Sequence, residues 1–256
     1  MKSLSQRGIS CLARIYGDFK ALRQGRLETF GLYLSCVRNR RGIEIGGPSQ
    51  IFRSRHDLPI YDQVGSLDNC DFSNSTVWAK HEATYQFSRG VASGKTYFCD
   101  GSAMTPIADG TYDFVLSSHN LEHFANPVKA IKEWQRVLRP GGALVLILPH
   151  YRKTFDHRRT PTSVDHMFQD YEMNVGEDDL THLPEILERH DLDRDPGRCT
   201  LEEFHKRSLD NLHNRCLHQH VFDENNSREL LTRAGFEVLA SDFRLPFNIC
   251  LLARAV

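Results

Sequence analysis

The sequence predicts an α/β fold in which a mostly parallel sheet carries helices on both faces. Short apolar runs typical of buried strands recur along the chain, and segments with helical spacing of apolar residues separate them. Strands that alternate with helices form parallel sheets that are covered on both sides. With 256 residues, of which 40% are hydrophobic and 25% charged, the chain is long enough for one large globular domain.

The strands of the first half are marked by apolar runs that end in glycine, proline or polar residues. The run at 58–61 is the weakest, because Pro59 lacks the N–H that the interior of a sheet requires. A helix is predicted over 127–138, where Pro127 suits the first turn and Pro140 prevents continuation. The predicted strands cover residues 42–46, 58–61, 95–99, 112–117 and 143–148.

The C-terminal part departs from this alternation of strands and helices. A helix predicted at 227–234 is followed by apolar runs at 236–239 and 248–253. The connection through Pro246 is too short for a crossover helix, so these two strands are expected to be antiparallel.

Composition divides the chain into four segments. Residues 1–41 are expected to form N-terminal cover helices, because apolar residues within 8–34 recur at helical spacing. Residues 42–149 are expected to form the core, and residues 223–256 to complete its sheet. The polar segment 150–222 holds nine of the 13 histidines, which indicates an insertion that serves as a lid or substrate-binding module.

Charge and cysteine content exclude several classes of protein. The net charge of −1 gives no general attraction to nucleic acid or anionic membranes. No N-terminal apolar segment resembles a signal peptide, and the longest purely apolar run, 143–148, is too short to span a bilayer. Seven scattered cysteines without a CxxC pair argue against a disulfide framework. We therefore expect a cytoplasmic protein without nucleic-acid or membrane partners; the oligomeric state stays open.

Acidic and small residues follow successive strands, at the edge where open α/β sheets bind ligands. Two glycines end the first strand and allow a ligand to approach the backbone, but the third glycine of a dinucleotide fingerprint is absent. Asp62 and Asp68 are alternative acceptors for ribose hydroxyls after the second candidate strand. The other strand-end candidates are Glu44, Gly46, Gly47, Asp100, Gly101, Ser117, Ser118 and His119.

Four stretches of the chain carry a family resemblance. Residues 44–47, 99–101 and 112–123, the last ending in Leu-Glu-His, resemble class I S-adenosylmethionine-dependent methyltransferases of the small-molecule type. Residues 134–144, which contain Arg-Val-Leu-Arg-Pro-Gly-Gly, are similar to the helix, turn and strand that precede that family's fifth strand. The resemblance implies a Rossmann-like sheet of seven strands with an antiparallel last strand, and S-adenosylmethionine as the cofactor.

The resemblance also implies a role for each strand-end residue. Glu44, Gly46 and Gly47 would contact the methionine and ribose side of the cofactor. Asp62 or Asp68 would hold the ribose. Asp100 and Gly101 would contact the adenine, and the segment from Ser117 through Ser118 to His119 would line the underside of the cofactor near the methyl group.

Methyl transfer from a sulfonium needs a base only when the acceptor atom carries a proton. His119 and His150 are the candidate catalytic bases, because each follows a strand at the ligand edge. The acceptor pocket is expected in the insertion, where Arg158 and Arg159 suit a carboxylate or phosphate on a small or sugar-linked polar acceptor. The candidate substrate-binding residues are Tyr151, Asp156, His157, Arg158 and His166.

Two other functions are compatible with the sequence. One is a regulatory protein that binds the cofactor without catalysis, and the other is a metal-dependent hydrolase that uses the histidine-rich insertion. The insertion has no compact signature such as His-Glu-x-x-His, so no metal site is assigned. Nucleic-acid methylation is disfavoured, because no Asn/Asp-Pro-Pro-aromatic sequence follows the fourth strand to hold a flipped base.

Overall fold

The described part of the chain is organised around one eight-stranded sheet. The computed structural model describes residues 26–76, 82–88, 94–197 and 199–256. The strands are β1 (Arg41–Ile45), β2 (Ser66–Asp71), β3 (Thr84–Tyr85), β4 (Gly94–Phe98), β5 (Tyr112–Ser118), β6 (Leu138–Pro149), β7 (Phe236–Arg244) and β8 (Asn248–Ala255). They lie in the order β3-β4-β2-β1-β5-β6-β8-β7.

Strand directions confirm the predicted α/β class. Strands β4, β2, β1, β5 and β6 are parallel, and β8 runs antiparallel between β6 and β7. The strand beyond the expected seven is β3, a two-residue strand that pairs antiparallel with β4 at the edge of the sheet. The short hairpin between β7 and β8 produces the antiparallel pairing that the tail of the sequence predicted.

The helices cover both faces of the sheet. They are α1 (Phe30–Val37), α2 (Pro127–Val137), α3 (Val164–Glu172), α4 (Leu183–Arg189), α5 (Leu201–Leu209), α6 (Asn211–Asn214) and α7 (Glu224–Arg233). Helix α2 begins where predicted, because the side chain of Asn126 accepts a hydrogen bond from Lys129 N and Pro127 occupies the first turn. Among the described residues no helix is both long enough and apolar enough to cross a membrane.

Alternation along β6 separates two apolar cores. Leu144, Leu146 and Leu148 face the side covered by α2, α3 and α7. The intervening side chains face the opposite side, where Tyr33 and Val37 of α1 pack. A strand buried on both faces reads as a continuous apolar run, which is why residues 143–148 were recognisable in the sequence.

The predicted second strand is wrong. Residues 58–61 form a buried loop instead, in which Leu58 N and Tyr61 N donate to Ile51 O and Phe52 O at 3.2 and 3.1 Å. The second strand is β2, whose sequence Ser-Leu-Asp-Asn-Cys-Asp lacks an apolar run. Two of its polar side chains accept hydrogen bonds from neighbouring backbone: Asn69 accepts from Gly47 N in the turn after β1 at 3.0 Å, and Asp68 accepts from Lys95 N of β4 at 2.8 Å.

Part of the insertion joins the core on one face of the sheet by packing against α2 and α7, and another part forms a small apolar cluster of its own. Val164 and Met167 of α3 join the core on the face of α2 and α7. Leu183, Ile186, Phe204 and Leu217 form the separate cluster. Of the helix predicted within 8–34, only the end from residue 26 lies in the described residues, and α1 begins there at Phe30. The four-segment division itself stays a prediction.

Candidate active site

A cavity of about 500 Å³ lies where β1, β2, β4 and β5 end. The carboxyl ends of parallel strands meet at one edge of a sheet, so the turns that follow these strands open into the same space. The strand ends contribute Gly46, Gly47, Asp71, Phe72, Asp100 and Gly101 to its wall. The turn after β5, the insertion and the β7–β8 hairpin contribute His119, Asn120, Glu122, His123, Lys153, Phe155, Arg194, Arg215, His218 and Phe247.

The turn after β1 brings backbone to the surface of the cavity. Gly46 has a φ of +73°, a left-handed conformation that favours glycine. Gly47 N donates to the side chain of Asn69 at 3.0 Å. A Cβ on Gly47 would collide with the Tyr85 hydroxyl and lie 2.5 Å from Cδ of Glu44. The absence of side chains at these two positions therefore shapes the turn and leaves its backbone open to a ligand.

Glu44 lies behind this turn and does not line the cavity, contrary to the predicted contact with a ligand. Its carboxylate is fully buried and accepts hydrogen bonds from Ser49 N (3.1 Å), Ser49 Oγ (2.6 Å), Tyr61 Oη (2.7 Å) and Tyr85 Oη. Burial raises the pKa of Glu44, and these donors oppose the rise. The residue fixes the shape of the first turn from the inside.

The acid at the end of the second strand is Asp71, not Asp62 or Asp68. Asp71 is buried and lines the cavity. Asp62 is exposed and accepts from Ser54 Oγ and, at 3.1 Å, from Ser88 Oγ. Asp68 lies inside β2, where Arg41 is 3.2 Å away and Tyr112 Oη donates at 2.8 Å. Neither Asp62 nor Asp68 lies in the cavity wall, because β2 begins at Ser66, eight residues beyond the start of the predicted strand at 58.

Asp100 and Gly101 line the cavity after β4, as predicted by their position. Asp100 accepts from Ser102 N (2.8 Å) and Ser102 Oγ (2.7 Å), and Arg215 lies 3.1 Å from its second oxygen. Burial alone would raise the pKa of Asp100, but these donors hold it below its ordinary value. Trp134 of α2 donates from Nε1 to Gly101 O at 2.9 Å, which fixes this turn to the helix.

Arg215 joins the insertion to the strand ends. Its guanidinium is shared between Asp100 and Glu177, each 3.1 Å away, and lies over the ring of Phe72 at 5.4 Å. Burial raises the pKa of Glu177 to about 7 against the opposing effect of Arg215. Both carboxylates share the Arg215 guanidinium, and only Asp100 has the additional Ser102 donors, so the pKa is raised at Glu177 and lowered at Asp100.

His119 lines the cavity directly after β5, in a left-handed backbone conformation with a φ of +51°. Its Nε2 donates to Asn248 Oδ1 at 2.8 Å, because an amide oxygen only accepts, and Nδ1 therefore carries the lone pair of the neutral ring. Burial lowers the pKa of His119 to about 4. Ser117 and Ser118, which were predicted to line the cofactor, do not line the cavity, since β5 continues through both.

Glu122 lies beside His119 in the same wall. Its Oε1 is 3.8 Å from His119 Nδ1, its side chain is 1% exposed, and neither carboxylate oxygen has a hydrogen-bond partner among the described residues. Burial raises the pKa of Glu122 to about 7. Sequence analysis included Glu122 only as part of the Leu-Glu-His stretch and gave it no role.

His218 enters the cavity from the insertion. Its Nδ1 donates to Asp156 Oδ2 at 2.6 Å, and Asp156 also contacts Arg159 at 3.1 Å. Burial alone would lower the pKa of His218, and the Asp156 carboxylate outweighs it, so the pKa is raised. The neighbouring His123 donates from Nδ1 to Leu217 O at 3.0 Å, and its ring meets that of His218 edge-on at 4.7 Å.

His150, a predicted catalytic base, and Tyr151, a predicted substrate-binding residue, do not line the cavity. His150 Nε2 is 2.9 Å from Glu224, and its Nδ1 accepts from Arg152 N at 3.2 Å. Its ring stacks on Tyr151 at 5.2 Å, and the Tyr151 hydroxyl accepts from Arg152 Nε at 2.9 Å. The short helical turn Tyr151–Lys153 directs both rings away, and Lys153 and Phe155 line the cavity instead.

The other predicted substrate-binding residues also lie outside the cavity wall. His157 pairs with Asp191 at 2.7 Å, and Arg158 is exposed at the surface. His166 lies on α3 beside His182. Asp156 reaches the cavity only through His218. The insertion side of the cavity wall is formed instead by Lys153, Phe155, Arg194, Arg215 and His218.

Several cavity residues were missed by sequence analysis. Asp71 and Phe72 become recognisable once β2 is assigned, because they end that strand. Arg215, His218 and Phe247 have no local signal, since the path of the insertion and of the β7–β8 hairpin places them in the wall. Among the sequence-derived candidates, the structure brings together Gly46, Gly47, Asp100, Gly101 and His119.

The strand-end wall fits an adenosyl cofactor. The Gly46–Gly47 turn admits close approach to the backbone, and Asp71 is placed to accept from ribose hydroxyls. Gly101 leaves little space for a side chain, because a Cβ would lie 3.0 Å from both Ile45 and Phe124, and the ring of Phe72 lines the same cavity. These features offer an apolar slot with polar groups at its ends, as nucleoside ligands require.

Comparison with known proteins agrees with this geometry. Residues 58–146 match the family described as "Methyltransferase domain". The chain is 31% identical over 159 residues to the ubiquinone/menaquinone biosynthesis C-methyltransferase UbiE of Haemophilus ducreyi, covering 58% of this chain and 58% of that protein. It is 30% identical over 112 residues to an uncharacterized methyltransferase of Mycolicibacterium gilvum, covering 44% of this chain and 40% of that protein. The chain thus spans less than two thirds of the length of these relatives.

Solved structures share the fold at low sequence identity. A SAM-dependent methyltransferase from Methanosarcina mazei matches with a TM-score of 0.50 and 15% identity, over 90% of this chain and 99% of the other. An S-adenosylmethionine-dependent methyltransferase from Mesorhizobium loti matches with a TM-score of 0.50 and 14% identity, over 88% and 95%. The domain match over residues 58–146, the sheet order and the strand-end cavity together support a class I S-adenosylmethionine-dependent methyltransferase, with S-adenosylmethionine as the cofactor.

Proposed function

We propose that this chain transfers a methyl group from S-adenosylmethionine to a small polar acceptor held between the strand ends and the insertion. The observation that carries the proposal is the composition of one cavity wall. Strand-end groups suited to an adenosyl cofactor share that wall with three titratable side chains, His119, Glu122 and His218. A cofactor site and proton-accepting groups in the same enclosure are what methyl transfer to a protonated atom requires.

The strand-end residues would bind and orient the cofactor. In this proposal Gly46 and Gly47 contact its methionine and ribose side through the backbone, and Asp71 accepts from the ribose hydroxyls. Asp100, Gly101 and Phe72 surround the adenine. The bound cofactor supplies a methyl group that its positively charged sulfur has already activated, so the protein contributes mainly position and exclusion of water.

The remaining wall would position the acceptor and take its proton. His119 keeps its Nδ1 lone pair available because Nε2 donates to Asn248 at 2.8 Å. Glu122 Oε1 lies 3.8 Å from that Nδ1, so the two groups form a pair that accepts the proton of a hydroxyl, an amine or an acidic carbon. His218, held by Asp156 at 2.6 Å, offers the acceptor a third polar contact.

The acceptor is proposed to be small, polar and preferably anionic. The cofactor and the acceptor share about 500 Å³, which leaves limited space for the second molecule. Lys153 and Arg194 line the insertion side of the cavity and would attract a carboxylate or a phosphate, including one on a sugar-linked acceptor. These two side chains take the role that sequence analysis gave to Arg158 and Arg159.

Binding calorimetry with S-adenosylhomocysteine tests the cofactor part of the proposal. We expect Asp71→Asn to lower the affinity by about 10-fold or more, because it removes charge-assisted hydrogen bonds to the ribose. The matched control is Asp62→Asn, at the exposed one of the two positions that the sequence offered for ribose binding, and it should bind like the wild type. No measurable binding to the folded wild-type protein would refute the proposed function.

Turnover with isotope-labelled S-adenosylmethionine tests the catalytic part. The acceptor panel should contain hydroxylated, carboxylated and phosphorylated small molecules and sugar conjugates. With a productive acceptor, His119→Asn should lower kcat by about 100-fold or more while S-adenosylhomocysteine still binds, and asparagine tolerates the left-handed backbone at this position. An unchanged kcat would exclude His119 as the base, and binding without turnover on any acceptor would favour the regulatory alternative.

A further inference from the structure

Three histidines and one aspartate converge outside the cavity. They are His166, Asp170, His182 and His220, and each offers one atom to a group whose members all lie within 4.8 Å of one another. Their rings also surround a common centre: the centroid of His182 is 5.0 Å from that of His166 and 5.1 Å from that of His220. We propose that these four side chains bind a divalent transition-metal ion, most suitably Zn²⁺.

The separations between the candidate ligand atoms match a tetrahedral site. A zinc ion holds imidazole nitrogen at about 2.0–2.1 Å, so neighbouring ligand atoms of a tetrahedron are about 3.3–3.4 Å apart. His166 Nε2 is 3.2 Å from His182 Nε2 and 3.6 Å from Asp170 Oδ2. His220 Nε2 is 3.6 Å from the same Asp170 oxygen, which places the imidazole ring of His220 beside these atoms.

The group also contains buried polar atoms that an ion would satisfy. Asp170 Oδ2 and His220 Nδ1 are buried and have no hydrogen-bond partner among the described residues. His220 Nε2 donates to Ala125 O at 3.2 Å, which leaves the lone pair on Nδ1. A metal-bound histidine commonly donates its other ring N–H to a backbone carbonyl, and this contact fixes the tautomer. A buried acceptor without a partner is costly, and coordination removes that cost.

The ligands come from three separate segments of the chain. His166 and Asp170 are one helical turn apart on α3, so they lie on one face of that helix. His182 directly precedes α4, and His220 lies in the extended segment before α7. Sequence analysis assigned no metal because no compact motif is present, and this separation along the chain is the reason.

The number of protein ligands indicates what the ion would do. Four protein ligands fill a tetrahedral site and leave no position for water or substrate, which is typical of structural zinc. The ion would fasten α3, the loop before α4 and the segment that holds His218 in the cavity wall. A structural role of this kind does not support the metal-dependent hydrolase that the histidine-rich insertion suggested. The inference concerns stability and is independent of methyl transfer.

Metal analysis of the full chain, purified without chelators and without a histidine tag, tests the site. We expect one zinc ion per chain in the wild type and loss of that zinc in His166→Ala and His182→Ala. The matched control is His213→Ala, because His213 is 76% exposed on α6 and outside the group. The side chain of His166 is 39% exposed, so its removal should leave the core packing intact.

Titration of the metal-free protein with Co²⁺ and Zn²⁺ provides the second measurement. The wild type and His213→Ala should give the visible absorption of tetrahedral Co²⁺. In His166→Ala and in His182→Ala, the affinity for Zn²⁺ should fall by about 100-fold or more. His166→Cys keeps a ligand at the same position and should retain the metal. Wild-type protein without bound zinc, whose metal-free form binds Zn²⁺ no more tightly than folded His166→Ala, would overturn the proposal.

Discussion

At the scale of single residues, Gly47 couples the shape of the first turn to the chemistry of the cavity. Its Cα faces the Tyr85 hydroxyl and the Glu44 carboxylate, which hydrogen-bond to each other. The Glu44 carboxylate also accepts hydrogen bonds from the backbone N–H and from the hydroxyl group of Ser49. The position therefore tolerates no side chain, and its backbone N–H is fixed by Asn69.

Gly47→Ala should destabilise the protein and weaken cofactor binding together. A methyl group here must displace two hydrogen-bonded side chains, and overpacking of this kind costs about 1–3 kcal/mol. Urea unfolding measures the stability, and calorimetry with S-adenosylhomocysteine measures the affinity. Gly31→Ala is the matched control, since no atom lies within 4 Å of a Cβ there and alanine favours helix α1. Equal stability of the two variants would contradict this account.

At the scale of elements, one ion cluster holds the insertion against the sheet. Arg215, which directly follows α6, contacts Asp100 after β4 and Glu177 between α3 and α4. Glu177 also accepts from Ala125 N at 3.2 Å, so the loop that carries it is tied to the start of α2. The cavity therefore depends on a contact between elements that lie about a hundred residues apart, 115 in the case of Arg215 and Asp100.

Glu177→Gln should reduce the pH dependence of stability. The folded-state pKa of Glu177 is raised to about 7 from 4.5, so its contribution is fully present below pH 4.5 and is lost as the pH rises through 7. By linkage this amounts to about 3 kcal/mol. Urea unfolding between pH 4.5 and 8.5 should show a decline that is smaller in the variant by about that amount.

The control for this experiment is Glu188→Gln. The Glu188 side chain is 74% exposed and lies 3.7 Å from Arg189, so its replacement should leave the pH profile of the wild type unchanged. If the free energy of unfolding of Glu177→Gln fell with pH as steeply as that of the wild type, the pKa of Glu177 would not be raised in the folded protein.

At the scale of the whole molecule, β8 lies between β6 and β7 in the sheet and contributes side chains to both apolar cores. Leu251 contributes to the core beneath α2 and α7, and its neighbour Leu252 contributes to the opposite core beneath α1. Residues 249–253 are fully buried. The last strand of the chain is therefore required for the packing of the first helices, and folding is expected to be cooperative across the sheet.

Leu251→Ala should lower the free energy of unfolding by about 2–5 kcal/mol, because it leaves a cavity between sheet and helices. Leu209→Ala is the matched control: Leu209 is 53% exposed at the end of α5, and its loss should change stability by about 0.5 kcal/mol or less. Urea unfolding at fixed pH compares the two variants. A similar loss in both would argue against β8 as a central strand.

The class of fold, and the part of the site that follows buried strands, could be predicted from local patterns in the amino-acid sequence. Strands β1, β5 and β6 and the antiparallel tail each carry a local signal in the form of a short apolar run, and helix α2 carries apolar residues at helical spacing between two prolines. Because strand ends meet at one edge, Gly46, Asp100 and His119 could be predicted from that local signal. The polar strand β2 has no such run, so Asp62 and Asp68 were chosen in place of Asp71.

The insertion side of the cavity and the metal-ligand group could not be predicted from such patterns, because they depend on how distant segments pack together. His218 meets Asp156 across 62 residues, and His220 meets Asp170 across 50, without any periodicity that connects the partners. Such contacts depend on the path of the whole segment 150–222. Packing of α3 against α2 and α7, together with the small apolar cluster around Phe204, fixes that path. Local patterns report burial along one element, whereas the convergence of side chains from several elements is a property of their packing.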